Sequence, residues 1–200
     1  MNDPLVEELL DSLKCLPGVG SRTAQRMALH LLQRDREGGR RLASALSRSM
    51  EDIGCCGECR NFTTEAICGI CASSRRSAEV LCVVESPGDV LAIEQATHFE
   101  GRYFVLLGRL SPLDGIGPED LGLDQLEQRF ADGRIREVIV ATNSNVEGEA
   151  TAHYIATLAS RYGIRLTRLA QGVPLGGELE HTDRSTLAHA FASRMPVGDG

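Results

Sequence analysis

The sequence predicts a multi-module α/β protein, and three observations carry that prediction. Apolar strand-like runs alternate with helical spacing four times between residues 79 and 170. Two Cys-x2-Cys pairs stand eight residues apart between 56 and 71. Two amphipathic stretches near the N-terminus are joined by Leu16-Pro17-Gly18-Val19-Gly20. Together they divide the 200 residues into a helical module (1–54), a four-cysteine finger (55–78), a parallel α/β domain (79–170) and a glycine-rich C-terminal tail with a helix (171–200).

Composition narrows the classes. Hydrophobic content of 42% and charged content of 24% are globular values. No apolar run has the length of a membrane helix. The start, Met1 to Glu8, is acidic where a secretory signal would be basic, so a cytoplasmic protein with no membrane role is expected. Seven cysteines, four of them in metal-ligand spacing, suit a reducing compartment. The net charge of −7 argues against nucleic acid only until its distribution is considered. Residues 79–200 carry ten basic and eighteen acidic groups, whereas residues 12–48 hold Lys14 and seven arginines against Asp35 and Glu37 alone. The N-terminal module therefore has a local basic field on an otherwise acidic body.

Asp3 followed by Pro4 is a cap-and-first-residue pair, and Leu5, Leu9 and Leu13 continue it as one helical stripe. Ser21 is placed to cap a second helix, with Ala24, Met27, Ala28, Leu31 and Leu32 inward. This helix, Leu-Pro-Gly-Val-Gly, helix pattern resembles a helix-hairpin-helix DNA-binding motif. Gly18 and Gly20 allow a tight turn that brings backbone N–H groups to a phosphate. The second helix points its positive dipole end the same way, and Arg22 and Arg26 lie one turn apart to flank the same backbone. Such a grip reads phosphates rather than bases, so it predicts binding without sequence preference. An ordinary αα-hairpin with solvated arginines is the alternative. A third helix follows to about Ile53, with Leu42, Leu46, Met50 and Ile53 expected inward and Arg40, Arg41 and Arg48 solvated.

Cys56, Cys59, Cys68 and Cys71 form two knuckles whose thiolates would complete a tetrahedral Zn²⁺ shell, one ion per chain. The loop is too short for a core of its own, so metal is its expected source of order. Cys55 competes with Cys56; Cys56 gives a spacer matching the second pair. Disulfides are the alternative in the same positions. Cys15 and Cys82 sit in apolar runs and read as core residues.

In the α/β domain, Val80–Val84, Tyr103–Leu107, Val138–Ala141 and Ile164–Leu169 read as strands. Ser86-Pro87 caps a helix to about Gln95, a second helix runs from Pro118 to about Phe130, and a third starts at Glu147 with Ala150, Ile155 and Leu158 inward. Polar groups between a strand and the next helix fall at the carboxyl edge of such a sheet, where α/β folds place their sites. One such stretch, Ala141-Thr142-Asn143-Ser144-Asn145-Val146-Glu147-Gly148-Glu149, resembles the second acidic motif of Toprim domains, the module shared by topoisomerases and bacterial primases. Glu85 matches the first Toprim acid. Where catalytic relatives carry two metal-binding aspartates, this chain has Asn143 and Asn145, so two anionic ligands are gone and Mg²⁺ is not expected to bind. Glu85, Glu147 and Glu149 are expected together as an exposed anionic patch that docks a basic partner. The tail, from Gly172 to Glu180, lacks the Gly-Lys-Ser/Thr ending of a phosphate loop. Asp183 is placed to cap a last helix over Leu187, Ala190 and Phe191.

The order of these modules, with Cys-Leu-Pro-Gly-Val-Gly (15–20), Val-Val-Glu-Ser-Pro (83–87), Leu-Ser-Pro-Leu-Asp-Gly-Ile-Gly-Pro (110–118) and Gly-Gly-Glu-Leu-Glu (176–180), resembles the RecR family of bacterial recombination mediators. The resemblance covers residues 1–195. It implies a ring-forming homotetramer that encircles DNA and is nucleoid-associated. It also implies action with RecO and RecF to load RecA onto strands coated by single-strand-binding protein, without enzymatic turnover. Two other classes stay open. One is a Toprim nuclease or topoisomerase using Glu85, Glu147 and Glu149 with Mg²⁺, for which Tyr103, Tyr154 and Tyr162 are the only tyrosines and two of them read as packed. The other is a zinc-stabilised interaction module with no DNA role.

Overall fold

The computed structural model describes residues 3–170, 172–173 and 176–194; Pro174 and Leu175 of the glycine-rich tail lie outside the described residues. The chain divides into two compact units, Met1–Gly54 and Cys55–Gly200.

The first unit holds α1 (Pro4–Leu13), α2 (Ser21–Gln33) and α3 (Arg36–Asp52). Asp3 caps α1, its carboxylate accepting from the Leu5 amide at 2.9 Å. The cap of α2 differs from expectation. Gly20 holds the cap position without a side-chain bond and Ser21 is already helical, so the N-terminal amides of α2 keep no hydroxyl partner. Gly18 takes φ +78°, a turn that a residue with a Cβ rarely adopts. Among the described residues of this unit only Ala24 and Ala28 are fully buried, on the face of α2 that packs against its neighbours. The inward stripe expected of α3 is instead exposed: Leu42, Leu46 and Ile53 about half so, and Met50 77%. Met27 and Cys15 are exposed as well. Three helices this short cannot bury both faces of the middle helix and a full stripe of the third.

The second unit begins with the cysteine finger, including the short helix α4 (Gly69–Ala72). It continues through β1 (Val80–Val84), α5 (Pro87–Ala96), β2 (Arg102–Val105), α6 (Leu123–Ala131), β3 (Glu137–Ala141), α7 (Val146–Arg161) and β4 (Arg165–Arg168) to α8 (Arg184–Ala192). The strands lie in the order β2-β1-β3-β4, all parallel, with Val84 opposite both Val105 and Ala141. Alternate strand residues feed two cores. Leu81, Val83, Phe104, Val138 and Val140 pack with Leu126 and Phe130 of α6 and Ile155 and Leu158 of α7. Cys82, Val84, Tyr103 and Val105 pack with Val90 of α5 on the opposite face. Cys82 is thus the core residue expected. Ser86 and Asp89 close α5 with a reciprocal capping box.

Several expectations need correction. Helix α6 starts at Leu123 rather than Pro118, because Gly122 at φ +64° ends the preceding turns. On α7 the inward position is Thr151 and not Ala150, which is exposed. Of the tyrosines only Tyr103 is buried, while Tyr154 and Tyr162 are more than a third exposed. β4 lies at a sheet edge and is mostly exposed, and Phe191 on α8 is exposed. No helix among the described residues is long and apolar enough to cross a membrane.

Candidate metal centre and nucleic-acid interface

The four cysteines of the two knuckles converge. The sulphurs of Cys56, Cys59, Cys68 and Cys71 all lie within 4.8 Å of one another and all four residues are buried, while Cys55 is exposed and outside the group. A tetrahedral metal with bonds of about 2.3 Å needs sulphur separations of roughly 3.8 Å. The Cys59–Cys68 separation is 3.5 Å, so the four residues fit a tetrathiolate ion. Backbone bonds hold the knuckle: Cys56 N–H donates to Asn61 at 2.8 Å, and Arg60 N–H donates to Cys56 at 2.9 Å. Arg60 takes φ +63° to make that turn.

The thiols are electrostatically unequal. Burial pushes the Cys56 thiol up, but amides of Cys68, Cys59 and Glu58 outweigh it and bring it to about 7. The bond with Cys71, then burial, pushes Cys59 well up, and burial raises Cys68. Cys56 is therefore more ready to ionise than Cys59 or Cys68, and a bound cation would have to draw off the protons of those two.

The finger is not an appendage. Val105 N–H donates to the Cys59 carbonyl at 2.8 Å. Arg129 of α6 donates to the carbonyls of Glu58 (3.1 Å) and Tyr103 (3.2 Å). Arg60 donates to the Leu121 carbonyl and stacks its guanidinium 5.7 Å from the Phe104 ring centroid. Burial pulls the Arg129 guanidinium below its usual value, opposed by Cys71, Glu58 and Cys59, and an arginine stays charged even so. Reading along the chain missed Arg129 and Arg60, because neither belongs to a motif and only the tertiary fold brings Arg129 to the cysteines.

In the first unit, Gly18 and Gly20 form the hairpin turn, and Arg22 and Arg26 stand exposed on the first two turns of α2. Neither has a side-chain hydrogen bond or ion pair among the described residues. The same face carries His30 and Arg34, which the spacing of four from Arg26 would have revealed.

The acids do not assemble as expected. Glu85, at the end of β1, is 6% exposed. Its two carboxylate oxygens accept from Asn143, one from the backbone N–H at 2.8 Å and the other from the side-chain amide at 2.7 Å. Arg109 Nη1 stands 3.9 Å away. Glu149 pairs with Arg168, whose Nη1 lies at 3.2 Å, and this holds its carboxyl below the usual range. Glu147 is half-buried. No three carboxylates of this set come within 4.8 Å of one another among the described residues. The exposed anionic patch is thus corrected: Glu85 is inside and already satisfied, and Glu149 is neutralised. Asn145 caps α7 by accepting from Gly148 N–H at 2.8 Å, and a Cβ on Gly148 would collide with the Asn143 carbonyl oxygen. The loop therefore holds its shape through amides and one obligatory glycine.

Fold and site together define a Toprim-domain protein that carries a helix-hairpin-helix module and a four-cysteine cluster, and residues 79–170 match the family model for the Toprim domain. Residues 6–50 match the model described as "RecR, helix-hairpin-helix" and residues 172–198 that described as "RecR, C-terminal". The chain is 62% identical over 197 residues to the "Recombination protein RecR" of Xylella fastidiosa strain Temecula1, covering 98% of this chain and all of that one. It is 61% identical over 193 residues to the protein of the same name from Xanthomonas axonopodis pv. citri, covering 96% of this chain and 98% of that one. The chain belongs to the RecR family.

Proposed function

We propose that this chain is a non-enzymatic, DNA-binding recombination mediator in DNA repair. In this reading it works in the cytoplasm and with the nucleoid, joins RecO and RecF, and assists loading of RecA onto single strands coated by single-strand-binding protein. The observation that carries the reading is 62% identity, over nearly the full length, to a protein named as a recombination protein, in a chain whose hairpin presents Arg22 and Arg26 free of internal partners among the described residues. Gly18, Gly20, Arg22 and Arg26 grip the phosphate backbone. Cys56, Cys59, Cys68 and Cys71 hold one structural Zn²⁺, which orders the finger. The exposed stripe Leu42, Leu46, Met50 and Ile53 supports self-association, and we place it in the assembly of a tetrameric ring. Glu147 is left as the acid of its motif free to meet a basic partner surface.

The occupied Glu85 supports the non-enzymatic reading, since a carboxylate already bonded at both oxygens offers little to Mg²⁺. The test is reconstitution of RecA loading on coated single strands, with and without this protein and a RecO-type partner. Acceleration that needs the protein is expected. Metal-dependent cutting or relaxation of DNA by the purified chain, abolished by Glu85→Gln, would instead establish the Toprim enzyme.

A further inference from the structure

We infer that the nucleic-acid contact extends along the whole of α2, as a phosphate track from Arg22 to Arg34 rather than a grip at its N-terminus alone. This rests on the DNA-binding reading and deepens it. Arg22, Arg26, His30 and Arg34 recur every fourth residue, all exposed, and line one shallow groove of about 450 Å³ with Gln25 and Gln33. The buried Ala24 and Ala28 lie on the opposite face, so the track does not compete with packing. Among the described residues none of the four basic side chains makes a hydrogen bond or ion pair.

That freedom separates the track from Arg36 and Arg40, and among the described residues of the unit it is shared by Arg41 and Arg48 of α3. Arg36 donates to the Leu32 carbonyl at 2.9 Å and Arg40 pairs with Glu37 at 3.3 Å. A solvated helix face of mixed sign usually pairs its charges; this one has four basic side chains and no acid. The only other polar side chains of the face, Gln25 and Gln33, can donate to phosphate oxygens or sugars without repelling them. Twelve residues of helix span about 18 Å. A row of residues four apart is inclined by about 26° to the helix axis. A phosphodiester strand would therefore cross α2 obliquely over three turns. The ligand class is the sugar-phosphate backbone, read without base preference.

The experiment measures binding of the full-length protein to a fluorescent oligothymidylate long enough to span the track, across a salt series. Arg34→Ala should weaken binding roughly three- to tenfold and lower the salt slope by about 0.7, the value for one phosphate contact on a single strand. Arg48→Ala, an equal loss of charge on α3, should leave both unchanged. Circular dichroism checks that the variants fold, as exposed side chains without partners should allow. If Arg34→Ala binds as the parent does while Arg22→Ala with Arg26→Ala weakens binding, the track is wrong and the hairpin grip stands. If Arg34→Ala and Arg48→Ala weaken it equally, only the general field matters and the track is again wrong. If none of these variants changes binding, the DNA-binding reading falls with it.

Discussion

The backbone amide of Val105 donates to the carbonyl of Cys59 at 2.8 Å, so the cysteine finger is bonded along the outer edge of β2. Successive backbone groups of a strand point to opposite sides, and those of β2 that face away from β1 would otherwise be an open edge. The finger and the guanidinium of Arg129 close it, at Val105 and Tyr103 respectively.

Metal removal should therefore be felt in the sheet. Chelation of the bound ion should accelerate hydrogen exchange at Val105 together with residues 56–72, while exchange in β3 changes little. Cys56→Ser should abolish metal content and Cys55→Ser should leave it at one ion per chain, measured by elemental analysis. Metal content that follows Cys55 would refute the assignment.

Arg129→Met keeps the bulk of the side chain and removes the donor. Two carbonyls, Glu58 and Tyr103, then lose their partner, at a cost of about 2–4 kcal/mol. A melting temperature lower by several degrees is expected, with faster metal release to a chelator. Unchanged melting would mean that water replaces the guanidinium.

How much of this was legible in the sequence depends on the distance over which each signal acts. Strand alternation, Asp3 and Asp183 as caps, and the Cys-x2-Cys pairs are local, and β1–β4 and the cluster follow them closely. The failures are tertiary. The stripe of α3 obeys helical spacing, but spacing says that one face is apolar and not that this chain alone covers it. Cys15 failed in the same way. Glu85 lies 58 residues from Asn143, and nothing in either motif shows that an amide bonds to both carboxylate oxygens. The Asp-to-Asn changes were visible; that one of them satisfies the buried acid was not.

Acid should loosen the finger's far arm. Arg76 pairs with Glu94, whose Oε1 also accepts from the Tyr103 hydroxyl at 2.7 Å. The Arg76 guanidinium holds the Glu94 carboxyl below its ordinary 4.5, against the opposing effect of burial. A depressed carboxyl contributes stability above its unfolded value and loses it as pH falls through the folded one. Urea unfolding should thus show stability falling as pH drops below about 4.5. Glu94→Gln should be less stable at neutral pH and should flatten that dependence. A variant that keeps the full acid slope would assign it to other carboxylates.

The Asn143 amide serves Glu85 as a cation would, and the last prediction separates that role from mere packing. Asn143→Asp removes the side-chain donor at 2.7 Å and sets a second carboxylate against a buried one. The backbone bond at 2.8 Å remains, so the loop keeps its anchor. The two carboxylates would repel each other, relieved only in part by Arg109, whose Nη1 stands 3.9 Å from Glu85. The variant should be destabilised by about 2–3 kcal/mol in buffer free of Mg²⁺ and Mn²⁺ and without chelator, so that the cysteine site keeps its ion, and millimolar Mg²⁺ or Mn²⁺ should restore part of the loss. The parent, whose Glu85 is already satisfied, should melt at the same temperature with and without these ions. Glu85→Gln supplies the contrast. Its amide group would face one of the two Asn143 donors, and the resulting loss of stability should not respond to divalent cations. Equal stabilisation of parent and Asn143→Asp by Mg²⁺ would mean that the ion binds elsewhere and that Asn143 does not stand in for it.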